Sequence, residues 1–348
     1  MYESFFGLTG KPFQLNPDPS FFYGSRGHKR AFAYLEYGLY QSEGFIVITG
    51  DIGAGKTTIV RSLLEQLDSS KVVAVQLVST QLQADDMLRA VGTAFGIPVR
   101  SVDKAILLAS LEAFLCQLAV DKKRALLVVD EAQNLAPGAI EELRMLSNFQ
   151  LGDQALLQSF LVGQPELRAM MQGAQMQQLR QRVIASYHLG PLDKSETQAY
   201  VEHRLKHVGW KEDPRFDPAC FELIHTLTGG IPRRINTLCN RLLLATFLAE
   251  RHVIETGDVQ TIAREIGEEM GSEAPLAQVA VIGEGSGHAG EALHPARIDQ
   301  SVWHRHFNQI EERIDRLERT VEAAVDLLHN LLHPDKAPAK SGPPPRNR

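Results

Sequence analysis

Short apolar runs alternate with amphipathic stretches between residues 44 and 190. Brief, continuous apolar runs rich in β-branched residues predict buried strands, whereas apolar residues at steps of three and four predict helices. The predicted strands are Phe45–Thr49, Val72–Val78, Ala125–Asp130, Ser159–Val162 and Ala185–Leu189. The predicted helices between them are Thr57–Leu67, Ala84–Phe95, Ala105–Ala119, Pro137–Phe149 and Pro165–Met171. This alternation predicts an α/β fold with a parallel five-stranded sheet and helices on both of its faces.

The regions on either side of this α/β domain (residues 44–192) have other patterns. Residues 1–43 open with an aromatic, proline-rich stretch and continue into a predicted helix at His28–Gln41, and we expect this segment to pack on the α/β core. After Leu192 the strand pattern stops, and residues 193–266 predict a small all-α domain. Its helices are predicted at Ser195–His207, Pro218–Leu227, Pro232–Ala249 and Gly257–Ile266.

The last part of the chain divides into three segments. Residues 267–297 are rich in Gly, Ser and Glu and predict a flexible linker. In residues 298–333, apolar residues recur at alternating steps of four and three, which predicts a coiled coil. The alternative is a single amphipathic helix that packs back on its own chain. Residues 334–348 combine basic residues with prolines and are predicted to form a disordered basic tail.

Composition excludes several classes of protein. With 348 residues, 44% hydrophobic and 22% charged, the chain is not wholly disordered and is long enough for two domains. No apolar run approaches the ~18 residues of a membrane-spanning helix, and the first residues lack the features of a secretory signal. The cysteines Cys116, Cys220 and Cys239 show no paired spacing, which predicts a reducing, cytoplasmic setting. Cys220 and Cys239 lie on apolar helix faces and are predicted core residues.

A phosphate-binding loop follows the first predicted strand. The segment Gly50-Asp51-Ile52-Gly53-Ala54-Gly55-Lys56-Thr57 fits the pattern G-x-x-x-x-G-K-[ST] at every fixed position, and Thr58 continues into the predicted helix. In this pattern the glycines let backbone N–H groups cradle a polyphosphate, and the lysine reaches its outer phosphates. The threonine hydroxyl holds Mg²⁺. The sequence therefore predicts a site for ATP and Mg²⁺.

Two acidic residues end the predicted strand Ala125–Asp130. The apolar run delivers Asp130 and Glu131 to the carboxyl edge of the sheet, where ligands bind in folds of this kind. We expect Asp130 to join Thr57 in holding Mg²⁺. Glu131 is the predicted catalytic base, which orients and deprotonates the attacking water.

The ordered set of phosphate loop, Asp-Glu strand, helical domain and a Gly-Gly-x-Pro-Arg turn resembles the AAA+ ATPases. Further segments are similar to the general secretion pathway protein A subgroup and, within it, to the ATPase linked to exosortase (PEP-CTERM) sorting and exopolysaccharide loci. These segments are Tyr2–Leu8, Pro12-Phe13, Gly44-Phe45, Asp130–Leu135 and Leu161–Leu167. The resemblance extends from residue 1 to about residue 266. It implies that residues 193–266 form a lid over the nucleotide.

The resemblance also implies roles for residues that spacing alone does not single out. Gln164 matches the first sensor of the γ-phosphate or the lytic water, where many members of the family carry Asn or Thr. Arg182 matches the arginine finger that acts on a neighbouring subunit, with Arg180 as the alternative. Arg233 matches the second sensor, which reaches from the lid to the γ-phosphate. Either finger candidate is equally well interpreted as a surface charge, and Pro232 gives the turn before Arg233 a purely structural explanation.

The function implied is that of an ATP-hydrolysing switch, which assembles into a homo-oligomer through its AAA+ faces and its coiled coil. The implied partner is an unidentified protein of envelope export or exopolysaccharide production. Relatives often continue into a transmembrane helix and a peptidoglycan-binding domain, and we find neither pattern here. One alternative is a DNA-binding regulator similar to transposition target-capture ATPases, although the net charge of -6 argues against a nucleic-acid partner. Another is a nucleotide-binding scaffold with negligible turnover.

Overall fold

A computed structural model describes residues 1–16, 18–78, 82–99 and 103–269 of the chain. The described strands are β1 (Phe45–Gly50), β2 (Val72–Val78), β3 (Arg124–Asp130), β4 (Gln150–Leu151), β5 (Gln154–Ala155), β6 (Leu157–Gly163), β7 (Val183–Leu189), β8 (Arg215–Phe216) and β9 (Val253–Ile254). The described α-helices are α1 (Tyr2–Phe5), α2 (Arg26–Gln41), α3 (Lys56–Gln66), α4 (Ala84–Ala94), α5 (Lys104–Val120), α6 (Pro137–Leu146), α7 (Pro165–Gln172), α8 (Gln177–Arg180), α9 (Lys194–His207), α10 (Pro218–Thr228), α11 (Pro232–Leu248) and α12 (Thr256–Glu269).

The predicted parallel five-stranded sheet is confirmed. Its strands lie in the order β2-β3-β6-β1-β7, and every neighbouring pair is parallel. Thr49 of β1 is paired with Gly163 of β6, and Val129 of β3 with Leu161 of β6. The carboxyl ends of these three central strands therefore meet at one edge of the sheet, which is where ligands bind in open α/β folds.

Side chains on the two faces of the sheet enter separate cores, as the alternation of a β-strand requires. Phe45 and Val47 of β1 pack with residues of α4 to α8 on one face. Ile46 and Ile48 pack with residues of α2 and α3 on the other. Because both faces are covered, the central strands carry apolar side chains on both faces, which explains why runs such as Phe45–Ile48 and Ala125–Val129 were visible in the sequence.

The aromatic N-terminal stretch packs elsewhere than expected. Tyr2, Phe6, Phe13 and Phe21 belong to the same buried cluster as helices α9 to α12. Phe22 and the helix that follows, α2, pack instead in the core that contains Ile46 and Ile48 of the sheet. The contacts of this stretch with the C-terminal helices were not predicted, because aromaticity predicts burial without indicating which surface is covered.

Two short strand pairs were missed. Strands β4 and β5 form an antiparallel pair before β6, and β8 pairs in parallel with β9 among the C-terminal helices. The region after Leu192 is thus not entirely helical. Strands of two residues are too short to show an alternating pattern, so periodicity cannot reveal them. The last described helix, α12, also continues through Glu269 into the first residues of the predicted linker.

The remaining linker residues, the predicted coiled coil and the predicted tail lie outside the described residues. Within the described residues, the helices are too short or too polar to cross a bilayer. Cys220 and Cys239 are fully buried, as predicted. Burial raises the pKa of the Cys220 thiol to about 11, which makes it a poor nucleophile at neutral pH.

Candidate functional site

The predicted phosphate-binding loop lies at the carboxyl edge of the sheet, between β1 and α3. The Lys56 ammonium is buried and donates hydrogen bonds to the carbonyls of Gly50 (2.7 Å) and Asp51 (3.0 Å). Burial lowers the pKa of Lys56, and the charges of Glu131 and Asp130 partly offset this effect. The lysine is therefore held at the base of the loop, beside the predicted acidic residues.

Thr57 and Asp130 come together although 73 residues separate them in the sequence. The Thr57 hydroxyl donates to Oδ2 of Asp130 at 2.9 Å, and the backbone N–H of Glu131 donates to Oδ1 of the same carboxylate at 3.0 Å. Burial raises the pKa of Asp130. Two oxygen donors in direct contact, one of them a buried carboxylate, are the ligand type that Mg²⁺ prefers, so these residues fit the predicted metal.

Glu131 adopts a left-handed backbone conformation (φ 52°) at the start of a 3-10 helix, Ala132–Asn134. Its Oε2 atom accepts hydrogen bonds from the side-chain amides of Gln133 (2.6 Å) and Gln164 (3.1 Å). Burial would raise the pKa of Glu131, but these two bonds and the Lys56 charge lower it below its ordinary value. The carboxylate is therefore ionised and oriented, as a general base must be.

Arg233 lies at the first turn of α11, directly over the phosphate-binding loop. Its backbone N–H donates to the Gly53 carbonyl at 3.2 Å, and its side chain lines the same cavity as Lys56 and Glu131. Gly53 has a φ of +82°, and a Cβ at this position would overlap the Cβ of Arg233. The loop and α11 are thus in backbone contact, which only glycine permits.

The two finger candidates lie away from this cleft. The Arg182 carbonyl accepts the backbone N–H of Phe45 at the start of β1, which places Arg182 at the opposite edge of the sheet. Its guanidinium donates to the Ser147 carbonyl (3.2 Å) and hydroxyl (2.9 Å). Arg180 donates to the carbonyls of Met171 (2.5 Å) and Gly173 (2.7 Å). Neither arginine lines the cleft of its own chain.

A cavity of about 190 Å³ connects these residues with parts of the chain that the sequence did not indicate. From the loop, Ile52, Gly53, Gly55, Lys56, Thr57 and Thr58 line it, whereas Gly50, Asp51 and Ala54 contribute backbone carbonyls to its surroundings. Glu131, Gln164 and Arg233 line it as well. The unexpected lining residues are Gln14, Leu15, Asn16, Asp18, Phe21, Phe22, Tyr23, His28, Tyr200, Arg204, Pro232 and Asn236.

Arg204 connects the N-terminal segment to α9 at this cavity. Its buried guanidinium donates to the carbonyls of Pro12 (2.5 Å) and Gln14 (3.3 Å), and it lies 4.7 Å from the centre of the Phe21 ring. A buried arginine that is paired in this way cannot be distinguished in the sequence from an exposed one. For this reason the sequence did not indicate that residues 14–16, 18 and 21–23 contribute to the lining of this cavity.

His28 supports the phosphate-binding loop from behind. Its Nε2 atom lies 3.0 Å from the Ala54 carbonyl, and its Nδ1 atom lies 2.7 Å from the Ser25 hydroxyl. Because a carbonyl can only accept, Nε2 carries the proton and Nδ1 accepts from the serine. Burial lowers the pKa of His28, which favours this neutral form. A single histidine in a helical stretch gives no hint of this contact.

Comparison with known proteins finds similarity to AAA domains. Residues 39–171 match the family model described as AAA domain. General secretion pathway protein A of Aeromonas hydrophila is 41% identical over 268 residues, which are 76% of this chain and 48% of that protein. The chain thus spans about half the length of this relative.

Solved structures share the fold at low sequence identity. Cdc6p from Pyrobaculum aerophilum aligns with a TM-score of 0.56 and 18% identity, covering 74% of this chain and 72% of its own. Aeropyrum pernix ORC1, solved in complex with DNA, aligns with a TM-score of 0.55 and 17% identity, and the alignment covers 74% of this chain and 70% of ORC1. Aeropyrum pernix ORC2, solved in ADPNP-ADP complexes, aligns with a TM-score of 0.52 and 18% identity, and the alignment covers 69% of this chain and 66% of ORC2. At these identities the similarity is one of fold.

Proposed function

We propose that this chain, an AAA-domain protein related to General secretion pathway protein A, binds ATP with Mg²⁺ and hydrolyses it to ADP and phosphate. The observation that carries the proposal is the contact between Thr57 and Asp130 (2.9 Å), because it joins the acidic end of β3 to the loop residue Thr57, which lines the same cavity as Glu131. A metal site, a phosphate cradle and a base in one cleft are the parts that phosphoryl transfer to water requires.

Each residue has a proposed task. The loop N–H groups and Lys56 bind the phosphates, and Thr57 and Asp130 hold Mg²⁺, which when bound neutralises charge on the phosphate oxygens. Glu131 orients the attacking water and accepts its proton. Gln164 and Arg233 contact the γ-phosphate. Loss of this phosphate would therefore remove a contact after the end of β6 and another at the start of α11. Because α11 contacts the loop at Gly53, we expect hydrolysis to loosen this contact.

Two substitutions test the chemistry. Lys56→Ala should abolish binding of a fluorescent, non-hydrolysable ATP analogue, because it removes the only lysine charge at the loop. Glu131→Gln should keep binding within about threefold and lose more than about 100-fold in turnover, because an amide cannot accept the proton. Binding titrations and steady-state phosphate release measure these effects.

The matched controls are Lys122→Ala and Glu65→Gln, which change exposed residues of the same types. Both controls should bind and hydrolyse ATP like the unmodified chain. Turnover of Glu131→Gln near that of the unmodified chain would remove the base assignment. Normal analogue binding by Lys56→Ala would remove the nucleotide site itself.

The biological role that we propose is a switch that supports envelope export or exopolysaccharide production, linked to exosortase sorting. It is supported by the relationship to General secretion pathway protein A and by the motifs in residues 1–266. Deletion of the gene should reduce secreted protein or exopolysaccharide, and complementation should require Lys56. The product whose amount falls identifies the process that the chain supports. If the amount of neither product changes, the proposal is contradicted.

A DNA-binding regulator is the alternative. ORC1 of Aeropyrum pernix was solved with DNA, but its likeness to this chain is one of fold at 17% identity. A DNA affinity that requires ATP and falls steeply with salt would favour this alternative over an export role.

A further inference from the structure

Gln133 connects two of the proposed catalytic residues, Glu131 and Gln164. It lies in the 3-10 helix Ala132–Asn134, just beyond the end of β3. Its Nε2 atom donates to Oε2 of Glu131 at 2.6 Å, and its Oε1 atom accepts the backbone N–H of Gln164 at 3.0 Å. The single amide therefore contacts both the proposed base and the proposed sensor.

The orientation of this amide follows from its partners. The backbone N–H of Gln164 can only donate, so the oxygen of the Gln133 amide must face it. The NH₂ group then faces the Glu131 carboxylate, which can only accept when ionised. The Gln164 side chain donates to the same Oε2 atom at 3.1 Å and closes a ring of three residues. Each residue of the ring is thus hydrogen-bonded to the other two.

The surrounding backbone is shaped to admit this side chain. A Cβ at Gly163, the last residue of β6, would come within 2.8 Å of the Gln133 Oε1 atom. Glu131 itself has a positive φ, a conformation that is uncommon for a residue other than glycine. A glutamine is also the right length, since an asparagine at this position would withdraw the amide by one methylene from both partners.

We infer that Gln133 is a positioning residue for ATP hydrolysis, whose amide holds the Glu131 carboxylate at a fixed place relative to Gln164. The inference rests on the proposed function, because it assigns to Gln133 the task of orienting the base proposed there. A change at Gln164 on loss of the γ-phosphate reaches Glu131 both directly and through Gln133. Base and sensor thus move as one unit at the ends of β3 and β6.

The test is a comparison of turnover with binding in Gln133→Leu, which keeps the volume and removes both hydrogen bonds. We expect kcat to fall by about 10- to 100-fold, because a small misplacement of a catalytic group costs this much. KM, the affinity for the non-hydrolysable analogue and the midpoint of urea unfolding should stay close to those of the control. The control is Gln117→Leu, which breaks a bond from a glutamine amide to the Asp121 carboxylate on the exposed surface of α5.

Two further variants keep the inference falsifiable. Gln133→Glu keeps the acceptor for the Gln164 N–H and removes the donor to Glu131, so kcat should again fall by at least about 10-fold at unchanged analogue affinity. Gln133→Glu therefore tests the inference even if Gln133→Leu does not fold. The double variant Gln133→Leu/Glu131→Gln should hydrolyse no more slowly than Glu131→Gln, because Gln133 acts through Glu131.

The outcomes separate this inference from the proposed function. If Glu131→Gln is inactive while Gln133→Leu and Gln133→Glu keep the kcat of the control, the inference is wrong and the proposed function stands. If kcat and analogue affinity fall together, Gln133 is a structural residue and the inference is also wrong. If Glu131→Gln hydrolyses normally, the base assignment fails and the inference fails with it.

Discussion

Asp130 and Glu131 are neighbours in the sequence, and their pKa values shift in opposite directions. Burial raises the pKa of Asp130, whereas the amides of Gln133 and Gln164 overcome the effect of burial on Glu131 and lower its pKa. A divalent cation at Asp130 would offset the cost of its buried charge. Glu131 needs no such help to stay ionised. The two environments therefore suit the two proposed tasks, one as a metal ligand and one as a base.

At the same scale, the neutral His28 leads to a prediction about pH. Burial lowers the pKa of His28 below its ordinary 6.5, so the unfolded chain binds a proton at a higher pH than the folded chain does. This contribution to stability is present above pH 6.5 and is lost as the pH falls toward the folded pKa. In His28→Gln it is absent, although an amide can still donate to the Ala54 carbonyl.

The unfolding free energy of the unmodified chain should therefore approach that of His28→Gln as the pH falls. The change is at most about 1.4 kcal/mol per pH unit. Urea unfolding of both proteins at about pH 7.5 and about pH 5.5 measures it. Between about pH 7.5 and about pH 8.5 the difference should be constant, because neither state is protonated at His28. A difference that stays constant down to about pH 5.5 would contradict the prediction.

Among the elements, the contact between the phosphate-binding loop and α11 links the cleft to the C-terminal helices. The Arg233 N–H and the Gly53 carbonyl are 3.2 Å apart, and Gly53 leaves no room for a side chain. The first turn of a helix has N–H groups without partners inside the helix, so the loop carbonyl satisfies one of them. Any movement of the loop on binding or release of phosphate is therefore passed to α11.

Gly53→Ala should break this contact. Gly96→Ala is the matched control, because Gly96 has a similar φ (+78° against +82°) and a Cβ there would meet nothing within 4 Å. Both variants should lose about 1–2 kcal/mol of unfolding free energy through backbone strain. Only Gly53→Ala should also weaken analogue binding, by about 10-fold or about 1.4 kcal/mol. Equal affinities in the two variants would show that the overlap with Arg233 has no consequence for the site.

At the scale of the molecule, the arginines and the nucleotide cleft lie at opposite edges of the sheet. Arg182 precedes β7 beside the first residue of β1, and the phosphate-binding loop follows the last residue of β1. The length of this strand separates them by roughly 16 Å. Arg182 cannot serve the cleft of its own chain. A catalytic role for Arg182 therefore requires a second copy of the chain, and we propose that two copies assemble in this way.

Mixing two impaired variants tests this assembly. Arg182→Ala should hydrolyse ATP slowly but bind it, and Lys56→Ala should not bind it. A mixture should regain turnover, because Lys56→Ala subunits supply an intact Arg182 to nucleotide bound in Arg182→Ala subunits. Ser147→Ala is the control for the intrachain bond, since it removes the hydroxyl acceptor and leaves Arg182 in place. Turnover is measured as phosphate release. If the mixture releases phosphate no faster than the sum of the two variants alone, Arg182 has only its structural contact to Ser147 and no role in a neighbouring subunit.

The fold and the centre of the site could be predicted from local patterns. The central strands contain continuous apolar runs, such as Phe45–Ile48, Ala125–Val129 and Phe160–Val162, and the helices between the strands show their own spacing. The loop Gly50–Thr57 and the pair Asp130-Glu131 are contiguous motifs, so their chemistry depends on residues a few positions apart. The parallel sheet then brings both motifs to one edge, because the carboxyl ends of its strands always meet there.

The rest depends on contacts between residues that are far apart in the sequence. Gln133 meets Gln164 because β3 and β6 are neighbours, and Arg204 meets Pro12 because the N-terminal segment folds over α9. Such pairs have no period and no fixed spacing, and their residue types are common on surfaces. Packing alone therefore selects which glutamine orients the base, which arginine fixes the wall of the cavity and which histidine supports the loop. The physical reason is that a side chain acquires these roles from its burial and its partners, and both are properties of the folded chain.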